Sequence, residues 1–453
     1  MKRFEGFQEL LSYYAERCPL APALIYTEAD EQQVCTYAEL SEAARQSAEH
    51  WKQTEKTCLG VFCDGSFQNV VSIFGAVFAG MQVVLLDENA SKELLEEQIF
   101  YTDIDLLCGE EELTEEFTPF LTGGLTEKHP GNILFFTSGT TDSSKAVVLT
   151  DQSLMNSAYN GGAKLPLSPD DRLLCMLPLN HVFGFVCSLL WGLSSGAAVA
   201  LGRGARHYLD DLKFYRPTAV AVVPLLLGFL IRQDALNPEL HLVLVGAGDC
   251  PNELLSAVTA RGIHVSFGYG LTETSSGVAI SVSGDPYAME ICPDDTITLA
   301  SDGEILIQAP TCMMQGYYKR PDDTNAILRD GVLYTGDLGM LDEDGRLHII
   351  GRKKEMLVLQ DGTKIFLPEY EAQIQRVLGD REFAVIEKQF APALVIRGDS
   401  GEKEELQRKL RHAMSMRPRG QQLREIIFVK EPLPRTATGK VKRWELQQKV
   451  VEK

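Results

Sequence analysis

FFTSGTTDSSKAVVLT, residues 135–150, joins an apolar run to a hydroxyl-rich turn, a lysine and a second apolar run. Hydroxyls, backbone N–H groups and a lysine at the end of a strand can bind oxyanions. The P-loop of nucleoside triphosphatases needs glycine directly before its lysine, and Ser144 stands there. Asp142 adds a negative charge to a loop that should attract anions. Alone, the stretch fits a phosphate-binding loop and a Ser/Thr-rich turn equally well.

Apolar runs of strand length lie on both sides of this stretch. Helix-length segments separate several of them, and this alternation predicts an α/β fold with largely parallel sheets. The runs read as strands buried on both faces; they are CLGVFC, QVVLLD, NILFFTS, RLLCMLP, GAAVAL, AVAVVP and LHLVLVGAG. After about Ser281, short strands with Gly/Asp turns predict antiparallel hairpins.

A new pattern begins at Lys353 and alternates strands with amphipathic helices over about 100 residues. We therefore expect a large N-terminal domain, residues 1–352, with mixed and parallel sheets flanked by helices and a β-rich subdomain. Residues 353–453 are expected to form a small α+β domain. This small domain carries 21 Lys/Arg against 15 Asp/Glu, whereas residues 1–352 carry 22 against 48. A basic domain beside an acidic body fits an anionic ligand, or simply solvated helix faces.

Composition excludes several classes of protein. The formal net charge of −20 argues against general nucleic-acid binding. The ten cysteines all precede Met313 without a C-x-x-C pair, which indicates reduced thiols rather than disulfides or zinc ligands. Charges among the first five residues argue against a signal peptide, and the longest apolar run, residues 70–86, is too short and interrupted for a membrane span. We expect a cytoplasmic protein.

Further segments carry side chains suited to a nucleotide. SFGYGLTETS offers Tyr269, whose ring can face a base, followed by Thr272 and by Glu273, a hard carboxylate suited to Mg²⁺. LYTGDLG offers Asp337, an acceptor for the two hydroxyls of a ribose. GRKKE contributes Arg352, and PRTATGKVKR contributes a lysine, Lys440.

In these segments, their order and their spacing, the sequence resembles the adenylate-forming (AMP-binding) enzyme superfamily. That superfamily includes acyl- and aryl-CoA synthetases, peptide-synthetase adenylation domains and luciferases. The resemblance covers nearly the whole chain, because three more segments match the family's patterns: CTYAELSEAARQSAEHW (35–51), LVLVGAGDCPNELL (242–255) and GEILIQAPTCMMQGYY (303–318). Within the superfamily, the sequence most resembles the acyl- and aryl-CoA synthetases, which are AMP-dependent synthetases and ligases.

The resemblance implies a role in ATP binding for each matching residue. Those implied to hold the β- and γ-phosphates are Thr137, Ser138, Gly139, Thr140, Thr141 and Lys145. Those implied on the adenine side are Tyr269, Gly246, Ala247 and Gly248. Thr272 would touch the α-phosphate, Glu273 would hold Mg²⁺, and Asp337 and Arg352 would bind the ribose.

The resemblance also implies two reactions in one site. A carboxylate attacks the α-phosphorus of ATP and expels pyrophosphate, and this anion-on-anion attack needs charge neutralisation and alignment. Lys440 would be the catalytic lysine of this step, although alone it reads as an exposed tail lysine. Rotation of the small, mobile domain about Lys354 would then remove Lys440, and a thiolate would attack the acyl-adenylate.

The segment LPLNHVFGF, residues 177–185, indicates which class of acid the protein activates. Amino-acid-activating members of the family place an aspartate near the position of Val182, and a neutral pocket holds an ammonium group only at high cost. A fatty or aryl acid is therefore expected, with a role in fatty acid metabolism as one possibility. His181 matches the histidine beside the carboxylate in CoA ligases; alone, it reads as a core histidine. Predicted pocket residues are Val182, Phe183, Val223, Gly268, Gly270 and Ser275.

Two questions about function stay open in the sequence. The acceptor thiol is expected to be CoA, with the phosphopantetheine arm of an acyl carrier protein as the alternative. The departures from the family's Gly-x-Pro-Lys-Gly at Asp142 and Ser144 also allow a relative that binds a nucleotide or acyl ligand without turnover. The specific acid and the oligomeric state are not readable from the sequence.

Overall fold

The first half of the large domain begins with a helix and a hairpin and continues as alternating strands and helices. The computed structural model describes residues 1–125, 129–137, 145–248, 250–282, 285–359, 364–389, 391–398, 401, 403–418, 421–435 and 441–451. Up to residue 150 its elements are α1 (Phe7–Arg17), β1 (Pro22–Glu28), β2 (Glu31–Thr36), α2 (Tyr37–Gln53), β3 (Cys58–Phe62), α3 (Phe67–Phe78), β4 (Gln82–Leu86), α4 (Lys92–Tyr101), β5 (Leu106–Cys108), α5 (Glu111–Phe117), a 3₁₀ turn (Thr118–Phe120), β6 (Asn132–Phe136) and β7 (Ala146–Thr150).

Local sequence explains where these elements begin and end. Thr36 starts α2 with a capping box, in which its hydroxyl accepts from the Glu39 N–H at 3.3 Å and the Glu39 carboxylate accepts from the Thr36 N–H at 2.8 Å. Such a cap contributes about 1 kcal/mol. Gly80, with φ +77°, makes the turn between the buried helix α3 and the buried strand β4. The apolar run of residues 70–86 is therefore divided between a buried helix and a buried strand.

The second half of the large domain supplies the strands of the longest sheet. Its elements are α6 (Asp151–Lys164), β8 (Arg172–Cys175), α7 (Val182–Gly184), a π-helical segment (Phe185–Leu190), α8 (Trp191–Ser194), β9 (Ala198–Leu201), a 3₁₀ turn (Ala205–His207), α9 (Tyr208–Tyr215), β10 (Ala219–Val222), α10 (Pro224–Arg232), β11 (Leu242–Val245), α11 (Asn252–Thr259), β12 (His264–Leu271), a 3₁₀ turn (Thr272–Thr274), β13 (Ser276–Ile280) and β14 (Glu290–Ile291).

Two mixed sheets carry the core of this domain in the described residues. One has the strand order β14-β13-β12-β11-β10-β8-β9-β1-β2, and β12 to β1 in that order are mutually parallel. The hairpin β1–β2 adds an antiparallel edge strand. In the second sheet, β6-β4-β3-β5 run parallel, and β7 pairs antiparallel with β6. The apolar runs predicted as strands all form strands, so the α/β prediction is confirmed.

A β-rich subdomain follows, as predicted, and leads into the small domain. Its elements are β15 (Thr296–Leu299), β16 (Glu304–Gln308), β17 (Gly316–Tyr317), α12 (Pro321–Ile327), β18 (Leu328–Arg329), β19 (Val332–Leu341), β20 (Leu347–Arg352) and a 3₁₀ turn (Lys353–Glu355). Strands β15, β16, β18, β19 and β20 form an antiparallel sheet, whereas β17 joins β7.

The remaining residues form the small α+β unit expected from the sequence. Its elements are β21 (Met356–Val358), β22 (Lys364–Phe366), α13 (Leu367–Leu378), β23 (Phe383–Lys388), β24 (Ala391–Arg397), α14 (Lys403–Ala413), β25 (Glu425–Val429) and α15 (Arg443–Val451). Among the described residues, the buried apolar clusters divide cleanly along the chain: three draw only on residues up to 349, and two only on residues from 357 onwards. Each part of the chain therefore has its own core.

Candidate active site

A cavity of about 830 Å³ opens where the parallel strands of the nine-stranded sheet end. The segments that follow the carboxyl ends of β8, β10, β11 and β12 carry His181, Val223, Ala247 and Glu273, which all line the cavity. Residues at the carboxyl ends of parallel strands meet at one edge of the sheet, which is where α/β proteins bind their ligands. The fold thus brings together residues up to 92 positions apart in the sequence.

A hydrogen bond and an ion pair link Tyr269, Asp337 and Arg352 at this cavity. The Tyr269 hydroxyl donates to Asp337 Oδ2 at 2.8 Å, and Arg352 Nε lies 3.1 Å from Asp337 Oδ1. The antiparallel register of β19 and β20 places Asp337 directly opposite Arg352. Burial, reinforced by the adjacent Asp337 carboxylate, raises the pKa of Tyr269 well above its ordinary value, so its hydroxyl stays protonated.

The backbone of Asp337 is fixed by further hydrogen bonds. Its N–H donates to Thr335 Oγ1 at 3.0 Å, and that hydroxyl donates to the Ile305 carbonyl at 2.8 Å. The Gly336 N–H donates to Glu304 Oε1 at 2.9 Å. Asp337 itself is only 4% exposed, so its carboxylate is held in place rather than free in solvent.

Glu273 and Lys145 lie beside a tyrosine that the sequence analysis did not single out. The Tyr317 hydroxyl donates to Glu273 Oε1 at 2.6 Å, and Lys145 Nζ lies 4.7 Å from the centre of the Tyr317 ring. Lys145 also pairs with Asp323 at 3.1 Å, and this lysine lowers the pKa of Asp323. Thr137 is linked to Lys145 through its N–H, which donates to the Lys145 carbonyl at 2.9 Å.

The segment after β11 gives the cavity a wall made largely of backbone. Ala247 has φ +60°, in the left-handed region that non-glycine residues seldom adopt. A side chain at Gly246 would come within 2.9 Å of the Phe183 ring, so only glycine allows these two segments to pack so closely. Ala247 and Gly248 line the cavity, whereas Gly246 lies behind them against Phe183.

His181 stands at the start of α7 with its side chain open to the cavity. The surrounding protein crowds the ring, and this desolvation lowers the pKa of His181; Asp87 acts in the opposite direction. A neutral imidazole can accept or donate a hydrogen bond without adding charge. The helix it starts is held by the Phe185 N–H, which donates to the His181 carbonyl at 2.9 Å.

Most predicted pocket residues lie on this cavity. Those that line it are Val182, Phe183, Val223, Gly268 and Gly270. Ser275 is placed differently: it is fully buried, its hydroxyl donates to the Cys312 carbonyl at 2.7 Å, and its Oγ lies 3.0 Å from Ser153 Oγ. The next residue, Ser276, lines the cavity instead.

The predicted nucleotide-binding residues are only partly within the described chain. Those that line the cavity are Thr137, Lys145, Ala247, Gly248, Tyr269, Thr272, Glu273, Asp337 and Arg352. The predicted hinge residue, Lys354, lines it as well. Those that lie outside the described residues are Ser138, Gly139, Thr140, Thr141 and Lys440, together with Asp142 and Ser144.

The wall of the cavity also contains residues that the sequence did not indicate. Helix α6 contributes Ser157, Ala158 and Gly161 to the wall, and Trp191 contributes from α8. The adjacent glycines at 161 and 162, within a helix, were a usable signal, because glycine disfavours helices unless space is needed.

These side chains form one cavity with charged and hydroxyl groups beside apolar wall residues, and a family model matches most of the chain that forms it. The model described as AMP-binding enzyme matches residues 11–318, about two thirds of the sequence. The chain belongs to this family of AMP-binding enzymes, and the predicted family and fold are confirmed.

Individual relatives align over most of the chain. A 2-succinylbenzoate–CoA ligase of Bacillus mycoides (strain KBAB4) is 27% identical, over 97% of this chain and 99% of its own. An indoleacetate–CoA ligase of Aromatoleum aromaticum (strain DSM 19018 / LMG 30748 / EbN1) is 31% identical, over 71% of this chain and 68% of its own.

Solved structures share the fold. O-succinylbenzoate Coenzyme A Synthetase from Bacillus subtilis in complex with AMP has a TM-score of 0.80 at 22% identity, covering 97% of this chain and 98% of that one. The same enzyme in complex with ATP and magnesium ion has a TM-score of 0.78 at 22% identity, covering 97% and 99%. In the described part of the present chain, no helix has the length and apolar character of a membrane span.

Proposed function

We propose that this protein is an AMP-forming acid–thiol ligase. It activates a carboxylic acid with ATP, releases pyrophosphate, and transfers the acyl group from the adenylate to the thiol of CoA. The observation that carries the proposal is the single cavity that contains Lys145, Glu273, the Tyr269–Asp337–Arg352 group and His181 beside an uncharged wall. The relatives of similar length are themselves named as CoA ligases.

The nucleotide binds across the strand ends. Tyr269 stacks on the adenine, against the backbone of Ala247 and Gly248. The Asp337 carboxylate accepts hydrogen bonds from the ribose hydroxyls, and Arg352 is held beside it by their 3.1 Å contact. Thr137 and Lys145 contact the β- and γ-phosphates together with residues 138–141, and Thr272 contacts the α-phosphate.

Glu273 fits the requirements of a magnesium ion that is held mainly by phosphates. Mg²⁺ binds oxygen ligands and commonly takes one or two carboxylates plus substrate phosphates and water. Glu273 brings a carboxylate to the same cavity wall as Thr272, and its Oε1 is positioned by Tyr317 at 2.6 Å. The ion would neutralise charge on the phosphates during attack by the acid. The Bacillus subtilis enzyme binds ATP with magnesium ion, which supports this assignment.

His181 places the carboxylate of the acid. Its lowered pKa keeps the imidazole neutral near pH 7, so the ring directs the carboxylate by a hydrogen bond rather than by charge. Val182 and Phe183 then begin the wall along which the rest of the acid extends. No cation has to be displaced as the carboxylate moves towards the α-phosphorus.

The small domain supplies Lys440 for adenylation and withdraws it for thioester formation. The separate cores of the two parts of the chain support a boundary between residues 352 and 353, with Lys354 as the hinge. Lys353 is anchored to Asp302 at 2.6 Å and to Glu304 at 2.9 Å, which fixes the large-domain side of such a hinge. A domain that rotates about a short fixed segment can serve two reactions in one site.

Aryl acids are the first substrates to test. The named relatives act on 2-succinylbenzoate and indoleacetate, both of them aryl acids, and this favours aryl acids over the fatty acids of our broader expectation. CoA is the preferred acceptor for the same reason, and a carrier-protein phosphopantetheine is the alternative with the same thiol. A cytoplasmic location and a role in fatty acid metabolism stay predictions.

Mass spectrometry of products tests the whole proposal. The protein is incubated with ATP, Mg²⁺, CoA and a mixed library of aryl and aliphatic acids, and we expect AMP, pyrophosphate and one family of acyl-CoA products. Parallel ATP–pyrophosphate exchange without CoA isolates the first half-reaction. Exchange without acyl-CoA would redirect the search to a carrier protein. A folded sample without exchange for any acid would instead support a binding protein that lacks turnover.

A further inference from the structure

Lys145 has an anionic partner within the protein as well as a place on the cavity wall. Its Nζ lies 3.1 Å from Asp323 Oδ1 and 4.7 Å from the centre of the Tyr317 ring. Lys145 and Tyr317 line the cavity, whereas Asp323, on α12, does not. The ammonium group is thus held by a carboxylate that is not itself part of the cavity wall.

Backbone and hydroxyl contacts bring the two partners close together. Lys145 directly precedes β7, and β17 pairs antiparallel with that strand. The Tyr317 N–H donates to Thr324 Oγ1 at 2.9 Å, which ties α12 to β17. Gly316 has φ +145°, and a Cβ added there would lie 3.1 Å from the Thr324 side chain, so this close approach favours glycine. The short distance between Lys145 and Asp323 therefore follows from the packing of β7, β17 and α12.

Asp323 is charged and has a second cation beside it. The hydrogen bond from Lys145 lowers the pKa of Asp323, so the carboxylate is ionised at neutral pH. Its Oδ2 lies 3.5 Å from a guanidinium nitrogen of Arg320, the residue that precedes α12. Asp323 therefore keeps a counter-ion when Lys145 turns towards another anion. The pair with Lys145 can open without leaving the carboxylate unpaired.

The ion pair between Lys145 and Asp323 is weak enough to be exchanged for a phosphate. The Lys145 side chain is 23% exposed and the Asp323 side chain is 41% exposed, so water and salt screen their attraction. Phosphate oxygens form charge-assisted hydrogen bonds with lysine. A carboxylate beside the same ammonium group offsets its charge and repels an approaching phosphate. Asp323 therefore lowers the affinity of Lys145 for phosphate.

We propose that Asp323 is a positioning residue that competes with the phosphates of ATP and of pyrophosphate for the ammonium group of Lys145. This inference rests on the proposed function, because it concerns the phosphate contact assigned there to Lys145. Asp323 holds the ammonium group as pyrophosphate departs, and the competition favours release of pyrophosphate after adenylation. The cost is a weaker hold on the β- and γ-phosphates of ATP.

The Asp323→Asn variant tests the competition, and Asp322→Asn is the matched control. Asp322 precedes Asp323 on α12 and is exposed, so its replacement removes the same charge one residue away from the pair. Binding of pyrophosphate with Mg²⁺, and separately of AMP, to the full chain is measured by calorimetry. We expect the Kd for pyrophosphate to be roughly 2- to 5-fold lower in Asp323→Asn than in Asp322→Asn. The Kd for AMP, which lacks the β- and γ-phosphates, should be the same in both.

A double-mutant cycle shows whether the effect acts through Lys145. In a Lys145→Gln background, Asp323→Asn and Asp322→Asn should bind pyrophosphate equally, because the ammonium group for which the anions compete is gone. The full difference in that background would overturn the inference, since Asp323 would then act on pyrophosphate directly. Unchanged or weaker pyrophosphate binding by Asp323→Asn in the presence of Lys145 would overturn it as well. So would an equal gain in AMP binding.

ATP–pyrophosphate exchange, measured in parallel, keeps this inference apart from the proposed function. Tighter pyrophosphate binding by Asp323→Asn, in a protein without exchange for any acid, would leave the inference standing and would contradict the proposed function. Exchange by a parent protein whose pyrophosphate affinity does not respond to Asp323→Asn would overturn the inference alone. A folded protein that binds neither pyrophosphate nor ATP would overturn both.

Discussion

Replacing Asp337 by asparagine tests the nucleotide assignment most directly. The change keeps the size of the side chain, and one amide oxygen can still accept from Tyr269 at the present 2.8 Å separation. It removes the charge and one of the two acceptors available to a ribose diol. The contact with Arg352 also weakens, but the Arg352 side chain is 58% exposed, so this adds only about 0–1 kcal/mol to the loss of folding stability.

The loss in ATP binding should be larger than the loss in stability. A hydrogen bond to a charged group contributes about 1.5–3 kcal/mol, compared with about 0.5–1.5 kcal/mol for a neutral one. One hydrogen bond from the ribose is weakened and the other is lost, so we expect the free energy of ATP binding to weaken by about 2–4 kcal/mol. At about 1.4 kcal/mol per factor of ten, this corresponds to a rise of about 30-fold to 1,000-fold in the KM for ATP.

The KM for ATP is measured by ATP–pyrophosphate exchange at varied ATP concentration. ATP analogues that lack one ribose hydroxyl then show whether the loss comes from the ribose contacts. The unaltered protein should discriminate against 2′-deoxy-ATP and 3′-deoxy-ATP, whereas Asp337→Asn should have lost most of that discrimination. Asp342→Asn is a matched control on the same hairpin, because Asp342 also pairs with an arginine, Arg346, at 2.9 Å but does not line the cavity. An unchanged KM, or undiminished discrimination in Asp337→Asn, would refute the ribose assignment.

Four other predictions concern the protonation of His181 and Asp295, the catalytic lysine of the small domain, and Asp142 in the phosphate-binding loop. The pKa of His181 is lowered, so the ring is protonated only below its ordinary pKa of about 6.5. We therefore expect kcat/KM to fall at pH values below that in the parent but not in His181→Gln. The same fall in both proteins would show that His181 does not cause it. Burial, with Asp294 nearby, raises the pKa of Asp295 to about 7; the folded state therefore retains a proton that the unfolded state loses, stability falls as pH rises from about 4 to 7, and Asp295→Asn should raise the melting temperature at pH 8 but not at pH 4. Equal melting temperatures of the parent and Asp295→Asn at both pH values would contradict the raised pKa of Asp295. Lys440→Ala should abolish adenylation yet retain thioester formation from supplied acyl-adenylate, which equal survival of both half-reactions would contradict. Asp142→Gly should leave exchange unchanged or faster, and a large loss would reveal a role for the aspartate.

The sequence predicted those parts of the fold that local pattern determines. Buried parallel strands leave continuous apolar runs such as residues 83–86 and 242–245, and each of these lies in a strand. The hairpin β1–β2 was not predicted, because its place depends on pairing of Leu24 with Val199, a contact that distant residues decide. The π-helical segment likewise follows from packing against α6 and β8, and apolar periodicity cannot distinguish it from an α-helix.

The candidate site shows the same division between local motif and tertiary context. Motifs identified Tyr269, Asp337 and Arg352, which the structure brings into one hydrogen-bonded group. Tyr317 was missed because its contact with Glu273 depends on β17 joining the edge of a separate sheet at β7. For Ser275, positive φ angles at 275 and 276 turn the chain sharply, so the neighbouring serine lines the cavity instead.

Lys353 has a mechanical consequence for the two half-reactions. Its ammonium group is clamped between Asp302 and Glu304, and it lies between Arg352 and Lys354 in the chain. In the proposed rotation about Lys354, the backbone would begin to turn one residue after these ion pairs and two residues after Arg352. The proposed ribose contacts of Asp337 and Arg352 would then lie before the turning point, so the same contacts would hold AMP as part of the acyl-adenylate and as the leaving group.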